Sequence, residues 1–194
     1  MFANSQFNCI QENGFKYLQV RRGSENSIPL VLLHGLFGGL SNYDALMERL
    51  TNHDIYVPAI PIYKVDAPSI GKLSDWLHGF ISFLDIDRLV LLGNSMGGHL
   101  ALDYTIQYPG NIRGVVLTGS SGLQEKSFGS TCPRRHDREY IRRQASQTFY
   151  HDLVDESLLD DIMQVITNPS KLRNILALAR NTHEYTMEKF LAEI

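Results

Sequence analysis

Six residues limit the architecture of this chain more than any others: Gly93-Asn94-Ser95-Met96-Gly97-Gly98. They follow a continuous apolar run, Leu89–Leu92, of the kind found in a strand buried on both faces. They precede Met96, Leu100, Tyr104 and Tyr108, a helical spacing that stops at Pro109-Gly110. A serine in the pattern G-x-S-x-G between strand and helix implies a sharp turn with no room for side chains on either flank. The serine is then held in a strained backbone conformation. Its hydroxyl stands above the sheet at a helix N-terminus, where developing negative charge is favoured. The rival reading is an ordinary serine cap in a glycine turn. At ordinary Gly and Ser usage, roughly 6 in 100 chains of this length carry the pattern by chance. Requiring the strand before and the helix after lowers that about tenfold.

The remaining pattern supplies the sheet that such a turn needs. Residues 7 to 21 read as a hairpin around Asn13-Gly14, a pair suited to positive φ. Pro29–Leu33 and Val115–Leu117 repeat the buried-strand pattern, with Ile55–Val57 a weaker strand between them. Tyr43, Leu46, Met47 and Leu50 mark one helix, with Ser41 and Asp44 as its capping box. Leu73, Trp76, Leu77, Phe80 and Leu84 mark another. Strands and helices alternate, which gives three βαβ units, hence an α/β fold with a mostly parallel sheet and flanking helices. Residues 1–123 form this core. After residue 124 no strand-like run appears, and helical stretches near 134–150, 155–166, 170–180 and 184–193 make residues 124–194 a helical cap or lid.

A second glycine-rich turn follows strand Pro29–Leu33 directly: His34-Gly35-Leu36-Phe37-Gly38-Gly39. Acyl transfer needs two N–H donors aimed at the oxyanion, each worth roughly 3–4 kcal/mol of transition-state stabilisation. A loop at the end of a strand beside the serine is placed to offer one. A plain βα turn would look the same in isolation.

Charge makes no case for a macromolecular partner, and a small-molecule substrate is expected. The chain has 18 Lys and Arg against 21 Asp and Glu, and no block of one sign, so nothing favours nucleic acid or an anionic membrane. Arg134, Arg135, Arg138, Arg142 and Arg143, interleaved with Asp137 and Glu139, read as a solvated helix face. Cys9 and Cys132 fit neither a metal nor a disulfide spacing and read as free thiols. The first residues lack the basic and apolar regions of a signal peptide, and no apolar run is long enough to cross a bilayer. A cytoplasmic protein without cofactor or metal is expected.

The two motifs together, in this order and each ending a parallel strand, resemble the α/β-hydrolase family. The resemblance covers residues 15 to 123, and the helical stretch after them looks like that family's cap. It implies Ser95 as nucleophile and the backbone N–H groups of Met96 and Leu36 as the oxyanion hole, with His34 structural. H-G-x-x-G-G with G-N-S-M-G-G is most similar to capped carboxylesterases and carbon–carbon bond hydrolases of the meta-cleavage type. The implied substrate is a small ester or vinylogous diketone. Acyl transfer or perhydrolysis shares every motif, and a non-catalytic binding protein on this fold is the reading from another class.

The family's triad runs Ser, then Asp or Glu, then His, with the acid after the strand that follows the cap and the His beyond one more strand. This sequence ends within the helical stretch Tyr185–Leu191. The histidines after Ser95 are His99, His136, His151 and His183, and none fits that order. Thr118–Gly122, the alternative place for an acid, holds no carboxylate. The expectation is a chain without its last strands, acid and base, in which a missing C-terminal segment or a second copy covers the edge of strand Val115–Leu117.

Overall fold

The computed structural model describes residues 7–22, 27–123, 134–147 and 154–193. Its sheet has six strands in the order β1-β2-β4-β3-β5-β6, with β1 Cys9–Glu12, β2 Phe15–Val20, β3 Leu30–Leu33, β4 Ile55–Pro58, β5 Leu89–Asn94 and β6 Ile112–Thr118. The first two form the hairpin, turning through Asn13 at φ 47° and Gly14 at φ 82°, and β2 runs antiparallel to β4. From β4 to β6 the sheet is parallel. This is the mostly parallel α/β sheet with flanking helices that the sequence pattern predicts.

Helices cover both faces. Leu32, Ile55 and Val57 point to the face covered by α1 (Asp44–Arg49) and its Met47. Val31, Leu33, Tyr56, Leu89 and Leu91 point to the opposite face, under α2 (Ile70–Phe83) and α3 (Met96–Gln107). Because alternate residues face opposite layers, strands covered twice must be apolar throughout, which is why β3 reads as an unbroken run. The capping of α1 differs from expectation. Ser41 and Asp44 make no capping box. A 3₁₀ turn, Leu40–Tyr43, precedes the helix, and Asn42 Oδ1 accepts the Gly39 N–H at 2.7 Å.

Beyond residue 134 the described elements are helical: α4 (Arg138–Ser146), α5 (Glu156–Ile166), α6 (Pro169–Glu184) and a 3₁₀ stretch, Glu188–Glu193. Asp137, Asp155 and Asn168 cap the three α-helices. Ile141, Leu159, Ile162, Ile166 and Leu172 form an apolar cluster of their own, against which Phe37 packs. Arg134, Arg135 and Arg143 are exposed, as expected of a solvated face, and Arg138 and Arg142 pair with Glu156 at the surface, Arg138 also with Asp160, across α4 and α5. Leu178 of α6, by contrast, belongs to the main core.

The final stretch is helical from Glu188 to Glu193, as 3₁₀ turns, rather than from Tyr185 as its pattern suggested. Tyr185 is extended, at φ −104° and ψ 90°, and ends α6. Tertiary contacts outweigh helix propensity here: the Tyr185 hydroxyl donates to Asp103 Oδ1 at 2.7 Å, and the Met187 N–H donates to Gly122 O at 2.7 Å. At the other end of the fold, β6 is the last strand of the sheet, with Val116 45% and Leu117 36% exposed.

Candidate active site

Ser95 joins β5 to α3 as the N-cap of the helix, at φ 53° and ψ −121°. A non-glycine residue there is strained by about 1–3 kcal/mol, so the surroundings must hold it. They do: the Ser95 N–H donates to Thr118 O at 3.1 Å, and its carbonyl accepts from the N–H groups of Gly98, His99 and Ser121 at 2.9, 3.2 and 3.1 Å. Two flanking glycines are required by close approach. A Cβ on Gly93 would lie 2.3 Å from Gly97 O, and one on Gly97 would lie 2.1 Å from Leu33 O. α3 therefore rests directly on the ends of β3 and β5. Asn94 fastens the same turn to β6, its Nδ2 donating to Thr118 O at 2.9 Å.

The glycine loop after β3 lies against this turn. A Cβ built on Gly35 would come within 3.3 Å of Ser95 Cβ and of Asn94 Oδ1. The loop closes on itself through Gly38 N–H to Gly35 O at 3.0 Å. His34, 4% exposed, is its pin: Nδ1–H donates to Gly35 O at 2.8 Å, and Nε2 accepts the Ile60 N–H at 3.2 Å. Those two bonds require the neutral Nδ1–H tautomer. Burial lowers the His34 pKa, with the Gly35 carbonyl pulling weakly the other way. Tyr43, whose hydroxyl donates to Leu33 O at 2.7 Å, steadies the strand end from below. Leu36 and Met96, expected to offer the two oxyanion N–H groups, thus stand on adjacent turns brought together by the parallel pairing of β3 and β5.

None of the described histidines after Ser95 stands ready as a general base. His99 is fully buried, its ring stacked on Tyr185 with centroids 5.9 Å apart and pressed against Gly122. Burial pushes its pKa down to about 4, against a small opposing effect of the Tyr185 backbone, and neither ring nitrogen has a hydrogen-bond partner among the described residues. His136 is exposed, with Nε2 accepting from Arg135 Nε at 3.1 Å, and His183 is exposed in the last turn of α6. His151 and Cys132 lie outside the described residues, whereas Cys9 is an exposed free thiol.

Two polar groups had no signal in the sequence. Asp103, fully buried on α3, accepts from Tyr185 and from Gln107 Nε2 at 2.6 Å. Tyr63, from the loop after β4, donates to Leu36 O at 3.5 Å. Among the described residues no three His, Cys, Asp or Glu side chains group as a metal site, and no helix is long and apolar enough to cross a membrane.

Comparison with known proteins agrees with this architecture. Residues 28–176 match the family model of the alpha/beta hydrolase fold. A 1-acylglycerol-3-phosphate O-acyltransferase of Sus scrofa is 29% identical over 119 residues, 56% of this chain and 34% of that protein. A 2-hydroxy-6-oxo-2,4-heptadienoate hydrolase of Pseudomonas putida is 31% identical over 105 residues, 49% of this chain and 38% of that protein. The match therefore spans little more than a third of each of these relatives. Among solved structures, an alpha/beta hydrolase enzyme from the metagenome of lagoon sediments at Mar Chica, Morocco, superposes with a TM-score of 0.70 at 29% identity, covering 95% of this chain and 69% of the other.

Proposed function

Because this chain belongs to the α/β-hydrolase fold family, we propose that it carries the nucleophile turn of a serine hydrolase acting on a small ester or related carbonyl compound. The observation that carries this reading is the backbone of Ser95, at φ 53° at the head of α3 and flanked by the Gly35 loop. Strain of this kind persists only where surrounding contacts over-determine it, and it lifts the hydroxyl clear of the sheet. In the proposed reaction Ser95 Oγ attacks the substrate carbonyl carbon, and the carbonyl π electrons move onto oxygen. The N–H groups of Leu36 and Met96 donate to that oxyanion. Collapse expels the leaving group, and water releases the acyl group from Ser95.

The proton of Ser95 needs an acceptor that no described histidine after it offers, so the base and its orienting acid are drawn from outside the described residues. Helices α4 and α5, with their own apolar cluster closing on Phe37, serve as the cap in residues 124–194, over the core of residues 1–123. They would line the approach to Ser95 with apolar surface. Similarity to an acyltransferase favours a second reading, in which an alcohol takes the place of water at deacylation.

The test is covalent labelling. A fluorophosphonate is expected to modify Ser95 alone in the complete protein, and Ser95→Ala to abolish labelling. Labelling that persists unchanged in Ser95→Ala refutes the assignment.

A further inference from the structure

The loop after β4 has both ends of its hydrogen bonding committed to different parts of the molecule. Near its start Ile60 donates its N–H to His34 Nε2 at 3.2 Å, and Tyr63 donates its hydroxyl to Leu36 O at 3.5 Å. Both bonds end on the glycine loop beside Ser95. From the other side, Asn174 of α6, only 9% exposed, spends both hydrogens of its amide on this loop: Nδ2 donates to Ile62 O at 3.1 Å and to Val65 O at 3.0 Å. Lys171, one turn earlier on α6, sets its ammonium 5.6 Å from the centre of the Tyr63 ring. Residues 60–65 are therefore clamped between helix α6 and the turn that carries Leu36.

We propose that Tyr63 and Asn174 are positioning residues, through which the seating of α6 sets the geometry of the Leu36 turn. This rests on the reading of the Leu36 N–H as an oxyanion donor. An oxyanion donor works only if its direction is fixed before the charge develops, since reorientation during reaction costs the stabilisation it offers. A glycine-rich loop is a poor holder of direction by itself, because glycine leaves the backbone many conformations. Leu36 lies between Gly35 and Gly38, and the Tyr63 hydroxyl holds its carbonyl. The phenol keeps its proton for that role. Burial and the neighbouring Asp161 carboxylate both push its pKa up. Asn174 does for the loop backbone what Tyr63 does for Leu36, and it does so from a helix 109 to 112 residues away in sequence. Displacement of α6 would then loosen the Leu36 turn without any residue of α6 touching the reacting atoms.

Hydrogen exchange read by mass spectrometry tests the link in the complete chain. Tyr63→Phe and Asn174→Leu are each expected to speed exchange of the peptide spanning residues 36–39 about 5-fold, the ratio that one net hydrogen bond is worth. Arg173→Ala, an exposed neighbour on the same helix, is expected to leave it unchanged. The double variant is expected to be no faster than the faster single variant, because both act through one connection. A purely structural role would instead raise exchange throughout α6 in step with a lowered Tm. Tyr63→Phe removes only an oxygen and carries the test alone if Asn174→Leu does not fold. In the labelling assay, Tyr63→Phe is expected to lower the maximal rate of Ser95 modification with probe affinity unchanged. Unchanged exchange at residues 36–39 in Tyr63→Phe overturns the proposal. Failure of Ser95 to label at all, with the exchange coupling intact, removes the oxyanion reading and leaves the mechanical link standing.

Discussion

Gly97→Ala measures how closely the serine turn is built onto the sheet. The added Cβ would sit 2.1 Å from Leu33 O, 2.6 Å from Leu33 C and 2.7 Å from His34 O. Real Cβ contacts essentially never fall below 3.0 Å, and every obstructing atom here is backbone rather than the end of a flexible side chain. Relief requires α3 to rise from β3, but the Ser95 carbonyl ties the start of that helix to Ser121 and the Ser95 N–H ties it to Thr118. Overpacking of a tight core costs about 1–3 kcal/mol, and rigid obstruction argues for the upper end. For a domain of this size that lowers Tm by roughly 6–12 °C. Gly71→Ala is the comparison. A Cβ there meets nothing within 4 Å in the first turn of α2, and helix propensity favours alanine by up to about 1 kcal/mol. Urea unfolding of both variants beside the parent gives the two shifts with opposite signs. If Gly97→Ala unfolds at the parent's urea midpoint, the contact between α3 and the end of β3 is not as described and the reasoning fails.

Acid is expected to destabilise the fold in a defined window. His34 and His99 are buried and neutral, each with its pKa lowered chiefly by burial, to about 4 for His99. The unfolded chain binds those protons from about pH 6.5 downward. Stability is therefore fully present above that pH and falls by about 1.4 kcal/mol per pH unit for each histidine until the folded-state pKa is reached. Urea midpoints between pH 7.5 and 5 that do not move would contradict this. Tyr43→Phe removes the buried donor to Leu33 O and is expected to cost about 1–2 kcal/mol, read from the same unfolding curves. A shift below a few tenths would show that the bond does not steady the strand end. The open side of β6, with Val116 and Leu117 exposed, is the kind of edge that pairs with further chain. We expect it covered in solution, by additional polypeptide or by a second copy. Native mass spectrometry giving a stable 22.0 kDa monomer at micromolar concentration would refute that.

Much of the fold was legible because its causes are local. A strand covered on both faces must be apolar at every position, so Leu30–Leu33 and Leu89–Leu92 announce themselves. A turn with positive φ at two successive positions calls for residues such as Asn13-Gly14, and a strand that bends straight into a helix calls for Gly93 and Gly97 around a serine. These requirements act within a few residues and leave a pattern. The same logic misread Ser41 as a cap and began the last helical stretch at Tyr185 instead of Glu188, since propensity alone could not register what those residues would touch.

What the sequence by itself determined, then, is the order of strands and helices, the serine turn and the glycine loop, together with the family they resemble. Only the tertiary structure decided how that turn is held. The pin of His34 on Ile60, the seat of Tyr63 on Leu36, the grip of Asn174 on the loop after β4 and the bond from Tyr185 to Asp103 join residues 26 to 112 positions apart. Such contacts have no period and no spacing. They exist because assembling the sheet and packing α6 into the core bring distant polar groups into a water-poor interior, where each group that finds a partner avoids the cost of being buried alone.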